Sequence, residues 1–477
     1  RLELTLISFL PMFVSWFVIL GLMAILGIEF NIINIILSTF IFGIGDDFSI
    51  FIMDGLQNKY RTGQKILESH KTAIFCSAFT IIVGMGALAF AQHPSLQSIS
   101  LISIIGILVV VLVAFAIEPI IFNFFIANPT SKGNLPYTVW GLLQTSFSFL
   151  VFLTGCVLLR ALNIVLYLVP VRKRLKRNLL CYLMSKACKW TILVSRQIKY
   201  EVENTTNEDF RKPSVIIANH QSFMDILVML SLSPKILMVT NKWVWHSPFF
   251  GGLIRYVGFF FNENGHEYNA EQMAERVKEG YSVVVFPEGT RSYDGTIGRF
   301  HKGAFYMAET LGLDITPVVL YGAGNIIAKS QPFNVREGKL VARILPRIKF
   351  SDRSFGDGYK TRSKTISGHF RHEYDLLCEK WNHPFNTTFF DVIMHNYIYK
   401  GPVEEWYLRI KIKMEHNYEL FDSIVPRSGQ ITDIGCGYGP LCYMLALTSK
   451  KRSVLGIDYD EDKIAVAQHG WLRSKCP

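Results

Sequence analysis

Paired cysteines are missing from this chain. Its eight cysteines follow no disulfide or ligand spacing, and Cys76 and Cys156 fall inside apolar runs. Neither a disulfide framework nor a zinc centre is therefore expected to organise the fold. His369 and His372 are spaced like helical neighbours, but no cysteine or carboxylate set accompanies them, so they read as surface histidines and no metal is expected. No cleavable leader is visible. The chain opens on Arg1 and closes on Pro477, as expected of a piece of a longer polypeptide. Acidic residues are in deficit: the formal net charge is +11, and much of the excess lies in Arg172, Lys173, Arg174, Lys176 and Arg177. Directly after an apolar stretch, such a run marks the cytoplasmic surface of a membrane rather than a nucleic-acid site. No nucleic-acid partner is expected.

What the chain has in quantity is hydrophobic length. Hydrophobic residues make up 50% of its 477 residues, concentrated before about residue 170, and the length leaves room for about two to four domains. Four apolar runs, 4–28, 32–54, 72–91 and 97–126, each approach the roughly 20 residues that span a bilayer. The connection carrying Lys59, Arg61, Lys65 and Lys71 should be cytoplasmic, so four spans return the chain to the cytoplasm near Asn128. A polar linker rich in breakers follows (Thr130, Ser131, Lys132, Gly133, Asn134, Pro136). The next apolar run, 139–169, is interrupted by Arg160 and Asn163. Both its ends should be cytoplasmic, so a re-entrant hairpin or an in-plane helix is expected there.

The second span contains Gly43-Ile44-Gly45-Asp46-Asp47-Phe48. Carboxylates inside an apolar helix are costly and point to function, often proton relay. The pattern resembles the tenth helix of resistance–nodulation–division exporters of the hydrophobe- and lipid-exporting (MMPL-like) branch. The resemblance implies a proton-relay role for Asp46 and Asp47, with Phe48 where a tyrosine is usual, and a bacterial inner-membrane location.

Two further stretches carry chemistry. Val215–Ala218 reads as a buried strand that ends at Asn219-His220-Gln221-Ser222, and 223–232 reads as a helix. An imidazole can take a proton from an alcohol when a carboxylate holds its tautomer, and Asp225 stands at that distance from His220. Ser282–Phe286 reads as a second strand, with Pro287-Glu288-Gly289-Thr290-Arg291-Ser292 as its exit loop, and catalytic groups of open α/β sheets collect at such ends. Arg291 suits phosphate, and Lys302 and Gly303 open a helix whose N-terminus favours anions. Asn-His-x-Ser-x-x-Asp, then Phe-Pro-Glu-Gly-Thr-Arg-Ser, then the strand Ile315–Val319 together resemble the glycerolipid (1-acylglycerol-3-phosphate) acyltransferase family. By that resemblance His220 is the general base and Asp225 its orienter. Asn219, Ser222, Glu288, Gly289, Thr290, Arg291 and Lys302 serve the substrate, and the donor is acyl-CoA or acyl carrier protein (acyl-ACP). Lys242, Pro248 and Gly258 fit the intervening region. The family usually places an arginine a few residues after that glycine; here Gly258-Phe259-Phe260-Phe261-Asn262-Glu263-Asn264 has none. A less charged hydroxylated lipid is therefore the expected acceptor, with Phe259–Phe261 lining its path.

Near the end, a strand at 430–434 leads into Asp433-Ile434-Gly435-Cys436-Gly437-Tyr438-Gly439, and a second strand, 453–457, ends at Asp458. Glycines let backbone approach a ligand closely, and an acid at that position suits ribose hydroxyls. The G-x-G-x-G spacing resembles class I S-adenosylmethionine-dependent methyltransferases. It implies a cofactor cradle of Asp433, Gly435, Gly437, Gly439 and Asp458, on fewer than about 50 residues of that fold. The expected order is an α-helical transmembrane bundle of four spans (1–128), a linker with a membrane-associated hairpin (129–170), an α/β acyltransferase domain (171–350), a helical linker (351–425) and a truncated Rossmann-like α/β methyltransferase start (426–477). The leading function is membrane-bound O-acyl transfer from a thioester to a glycerol-phosphate or other hydroxylated lipid acceptor. The alternative is export of a lipid or hydrophobe with the soluble domains as accessories. Membrane lipids are the expected partners, with acyl carrier protein as a possible donor.

Overall fold

A computed structural model describes residues 1–28, 32–264, 266–293, 295–384 and 387–474. The chain divides into two compact units, Arg1–Val139 with Asn382–Pro477, and Trp140–Trp381.

The first unit begins with four long helices, Leu2–Ile25, Ile32–Thr62, Ile66–Gly86 and Pro94–Phe122. Proline at the first helical position suits the start of the fourth, and the ring nitrogen of His93 accepts the Ser95 N–H there at 3.2 Å. Small residues set how closely the helices approach. A Cβ on Gly106 would fall 2.5 Å from Ile41, and one on Gly45 would fall 3.0 Å from Val110. Outward faces carry Phe13, Phe17, Phe75 and Phe79, all exposed. Among the described residues, Leu2–Ile25, Ile66–Phe90, Pro94–Ser131 and Val139–Leu168 are long and apolar enough to cross a membrane.

The last of these opens the second unit and removes one of the two forms expected there. It is one continuous helix of 30 residues, not a hairpin. Arginine and asparagine are tolerated in a helix, and the run holds neither proline nor a glycine pair that would turn it. Its polar groups are used in packing instead. Thr145 accepts the Val335 N–H at 2.9 Å, Ser148 bonds Ser195 at 3.0 Å, and the Arg160 guanidinium lies against Gly252. Phe149, Phe152, Leu159, Leu162 and Leu166 rest on the core of the unit, with the spacing of one helix face. The helix therefore lies along the α/β unit over most of its length.

That unit is built on a seven-stranded sheet in the order β1-β7-β6-β2-β5-β3-β4. The strands are β1 (Ile198–Asn204), β2 (Val215–Ala218), β3 (Ile236–Thr240), β4 (Phe260–Phe261), β5 (Ser282–Val285), β6 (Ile315–Tyr321) and β7 (Gly338–Ile344). All neighbours are parallel except β6 and β7, so the sheet is mixed. β2 and β6 are buried along their whole length, as expected of strands covered on both faces. The unit does not stop at residue 350. Ile366, Phe370 and Leu377 of the helix Gly358–Trp381 are buried in the same core, because their helical spacing makes one apolar face.

The C-terminal part of the first unit follows. Helices Pro402–Met414 and Tyr418–Ile424 precede β8 (Gly429–Ile434), the helix Pro440–Thr448 and β9 (Arg452–Ile457), which is parallel to β8. Arg452 and Asp422 pair at 2.6 Å with both side chains fully buried. The arginine also donates to the carbonyls of Val425 and Pro426, so the buried charges are satisfied.

Candidate active site

β2 and β5 are adjacent and parallel, with Ile217 opposite Val285. Their exit loops therefore leave the sheet side by side, and two sequence motifs about 60 residues apart become one site. The loops clasp each other at His220. Its backbone N–H donates to Glu288 Oε1 at 2.8 Å, and its carbonyl accepts from the Ser292 N–H at 2.9 Å. The imidazole stacks on Phe286, centroids 4.2 Å apart.

His220 Nδ1 lies 2.9 Å from Asp225 Oδ2. The same oxygen accepts the backbone N–H groups of Gln221 at 2.6 Å and Ser222 at 2.7 Å. The Asp225 carboxylate is fully buried at the start of the helix Met224–Leu232, where the helix terminus favours negative charge. Three donors on one oxygen hold the carboxylate in place, and it in turn directs Nδ1 inward and leaves Nε2 for a reactant.

Glu288 is a clamp. Its second oxygen accepts the Gly298 N–H at 2.7 Å, so the carboxylate joins the β2 exit to the following loop. Burial pushes its pKa up, while the two backbone N–H groups pull the other way. Two residues assigned to substrate by sequence belong to the scaffold. The Asn219 amide exchanges two hydrogen bonds with the Leu320 backbone, both 2.8 Å, and Ser222 Oγ donates to the Ile327 carbonyl at 2.8 Å. Both side chains are fully buried. Their hydrogen-bonding capacity goes to the β6 side of the sheet, which their spacing alone does not reveal.

Gly289 takes a positive φ of 70°, which favours glycine. Thr290 is exposed, Arg291 is half-buried, and Lys302 is exposed at the start of the helix Gly303–Thr310. Sequence reasoning missed Lys329. Its ammonium donates to the Arg291 carbonyl at 2.7 Å and to Thr290 Oγ1 at 3.2 Å, adding a cation to this loop. It follows β6 at no motif spacing. Arg255, the arginine that precedes Gly258 by three residues, donates to the Trp245 carbonyl.

His220 and Gly289 line a cavity of about 220 Å³. The rest of its wall is mostly apolar, with Phe152 and Gly155 from the long helix, Met184 and Cys188 from the helix Lys173–Val194, Leu230, Met238 and Phe259, and with Thr191, Thr240, Asn241 and Asn262 as its polar side chains. Of the expected phenylalanine path only Phe259 lines it; Phe260 is buried in the sheet and Phe261 stacks on Trp245 at 5.2 Å.

Elsewhere, Asp46 is half-buried and Asp47 exposed on the helix Ile32–Thr62, while Phe48 is buried. In the β8 exit loop Gly435, Gly437 and Gly439 have φ of 82, 56 and 78°. Asp458 Oδ2 accepts the Gly437 N–H at 2.6 Å, and its Oδ1 accepts the Asp460 N–H at 2.9 Å. Asp433 Oδ2 accepts the Cys442 thiol at 3.2 Å.

Comparison with known proteins gives two matches to family models, acyltransferase over residues 198–321 and the MMPL family over residues 5–140. A chloroplastic 1-acyl-sn-glycerol-3-phosphate acyltransferase of Arabidopsis thaliana is 35% identical over 130 residues, 26% of this chain and 36% of that protein. The corresponding enzyme of Saccharomyces cerevisiae is 35% identical over 147 residues, 29% of this chain and 48% of that protein. The chain thus spans less than half the length of these two curated relatives. The solved 1-acyl-sn-glycerophosphate acyltransferase PlsC of Thermotoga maritima aligns with TM-score 0.44 and 22% identity, over 50% of this chain and 96% of that one.

Proposed function

We propose that this chain, which carries an acyltransferase domain homologous to 1-acyl-sn-glycerol-3-phosphate acyltransferases, moves an acyl group from a thioester to the hydroxyl of a membrane glycerolipid. The observation that carries the reading is the His220–Asp225 pair at 2.9 Å on the wall of an apolar cavity. Nε2 of His220 takes the proton of the acceptor hydroxyl as its oxygen attacks the thioester carbonyl. The C–S bond then breaks, and the imidazolium returns the proton to the leaving thiolate. Asp225 holds the tautomer and stabilises the cation. The cavity accommodates an acyl chain, and excluding water there protects the thioester from hydrolysis. The donor is acyl-CoA or acyl carrier protein.

Arg291, Lys302 and Lys329 give the loop its cationic side. Without the arginine usual after Gly258, and with Arg255 engaged by Trp245, the loop meets a phosphate dianion with one charge-assisted contact fewer, roughly 1.5–3 kcal/mol. The proposed acceptor is a hydroxylated glycerolipid less charged than lysophosphatidic acid. A competition assay with one acyl thioester, lysophosphatidic acid and uncharged or zwitterionic hydroxylipids tests this. A clear preference for lysophosphatidic acid refutes the acceptor, and full activity of His220→Ala refutes the mechanism.

A second reading rests on the MMPL match and the carboxylates of Asp46 and Asp47 in an apolar helix: export of a lipid, with the acyltransferase loading or tailoring the cargo. The location proposed for both is a bacterial inner membrane with the α/β unit on the cytoplasmic side. Proton-coupled export from vesicles, lost in Asp47→Asn, separates the readings.

For the C-terminal segment we propose the start of an S-adenosylmethionine site. β8 and β9 end together, with Ile434 opposite Ile457, so the glycine loop and Asp458 share one end of the sheet. A Cβ at Gly435 or Gly437 would meet no atom within 4 Å, which leaves space for a ligand against the backbone and fits the cofactor. Asp458 would hold its ribose and the glycine loop its amino-acid moiety, and the bound cofactor supplies a transferable methyl group. Calorimetry with S-adenosylmethionine tests the site, and weak or no binding is expected of this short segment.

A further inference from the structure

The helix Pro402–Met414 presents an apolar stripe that no other described part of the chain covers. Val403, Trp406, Ile410 and Met414 are 71, 64, 52 and 73% exposed, and their spacing places them on one face. The opposite face is spoken for, with Leu408 fully buried in the C-terminal core. A face this apolar facing water is unfavourable on a surface where function does not require it.

The first turn of this helix shows where the stripe sits. Glu405 takes a two-point ion pair from Arg1, at 2.6 and 2.8 Å, and Glu404 accepts from Arg61 at 3.0 Å. Arg1 immediately precedes the apolar helix Leu2–Ile25, and Arg61 lies in the last turn of Ile32–Thr62. Tyr399, just upstream, is buried with the apolar helices and donates to the Tyr137 carbonyl at 2.7 Å. The stripe is thereby fixed at the level where the long helices end, which is the membrane–water boundary if those helices span. Tryptophan is the residue favoured at that depth. Arg409, which donates to Glu405 at 3.0 Å, and Lys413 follow on the adjoining face, where cations suit lipid phosphates.

From this juxtaposition we infer that Pro402–Met414 is an interfacial helix, lying in the bilayer surface with Val403, Trp406, Ile410 and Met414 among lipid chains. Its occupant is the lipid boundary itself, continuous with the lipid around the first two helices. This rests on the reading that the apolar helices are embedded in a membrane. It places the start of the C-terminal α/β segment against the bilayer, where a lipid product can reach it without entering water.

The test uses the full chain in proteoliposomes, with a benzophenone amino acid at Ile410, at Phe17 or at the exposed Asp462, and a fluorescent phospholipid. Lipid adducts are expected at 410 and 17 and none at 462. A lipid adduct at 17 with none at 410 overturns the inference and leaves the embedding intact. A protein adduct at 410, from a second copy or another partner, overturns it as well. Absence at both 17 and 410 removes the membrane reading and the interfacial helix together. Trp406→Phe, a mild change, provides an independent check. Quenching of tryptophan fluorescence by brominated lipid should lose a component in this variant, and an unchanged quenching profile counts against the inference.

Discussion

At the scale of the residue, the site depends on one oxygen. Asp225 Oδ2 receives His220 and two backbone N–H groups, so the carboxylate both shapes the loop and orients the imidazole proposed as the base. His220→Ala should lower the acyl-transfer rate by about 10²–10⁴-fold, the usual worth of a positioned base, with little change in thermal stability because the ring is partly open. Asp225→Asn should lose less, since the imidazole remains but its tautomer is no longer imposed. Steady-state kinetics beside a melting curve separates the two effects. Glu288→Gln tests the clamp. An amide has only one acceptor oxygen, so either the His220 or the Gly298 N–H loses its partner. A drop in both activity and stability is expected, of about 1–3 kcal/mol in stability. Equal activity and stability would show that Glu288 does not hold the loops.

At the scale of the element, the long helix Val139–Leu168 forms one wall of the cavity proposed for the acyl chain. Gly155 lines that wall, and a Cβ there meets no atom within 4 Å. Gly155→Leu should raise helix stability by roughly 1 kcal/mol while filling part of the cavity. The expected outcome is a fall of about tenfold or more in kcat/KM for long acyl thioesters, with short ones spared. A parallel loss for all chain lengths would show that the cavity does not hold the chain. A second element-level test concerns Lys400, fully buried beside the helix Glu461–Gln468. Its ammonium donates to the Val466 carbonyl at 2.6 Å. Burial pushes its pKa down to about 7, against a weaker upward pull from Glu404. Between about 7 and the ordinary 10.5 the unfolded chain binds the proton and the folded chain does not. Stability of this unit therefore rises with pH across that window, by at most about 1.4 kcal/mol per pH unit, and the penalty is complete below it. Lys400→Met should flatten the dependence in melting curves taken from pH 7 to 10.

At the scale of the whole molecule, sidedness is the question that joins the units. The cytoplasmic side proposed for both segments rests on the basic residues of 59–71 and of 172–177. The helix Val139–Leu168 is long enough to cross, yet it is packed along the α/β unit from Thr145 to Leu166. If the α/β unit lies on the proposed cytoplasmic side, a helix packed along it in this way is expected at the membrane surface rather than across the bilayer. Cysteines introduced at Gln64 and Lys173 should both resist impermeant reagents in intact cells. Labelling of Lys173→Cys alone would mean that the helix crosses.

The sequence by itself determined what depends on neighbours along the chain. Apolar length marked the helices of the first 170 residues. Short β-branched runs ending in Asn219-His220 and Phe286-Pro287 marked strands whose exits carry chemistry, and the five-residue step from His220 to Asp225 set a contact made across one short loop. Only the tertiary structure decided what depends on distant partners. Asn219 and Ser222 turned from substrate ligands into braces because their partners are backbone groups about a hundred residues away, on Leu320 and Ile327. Lys329 joined the site because β6 lies beside β2. Arg160 and Asn163, read as interruptions of an apolar run, sit in an unbroken helix because packing against the α/β unit gives polar side chains a place that lipid does not. Hydrophobic pattern and spacing are local quantities; hydrogen-bond partnership across a sheet is not, and it decided which motif side chains are engaged within the scaffold.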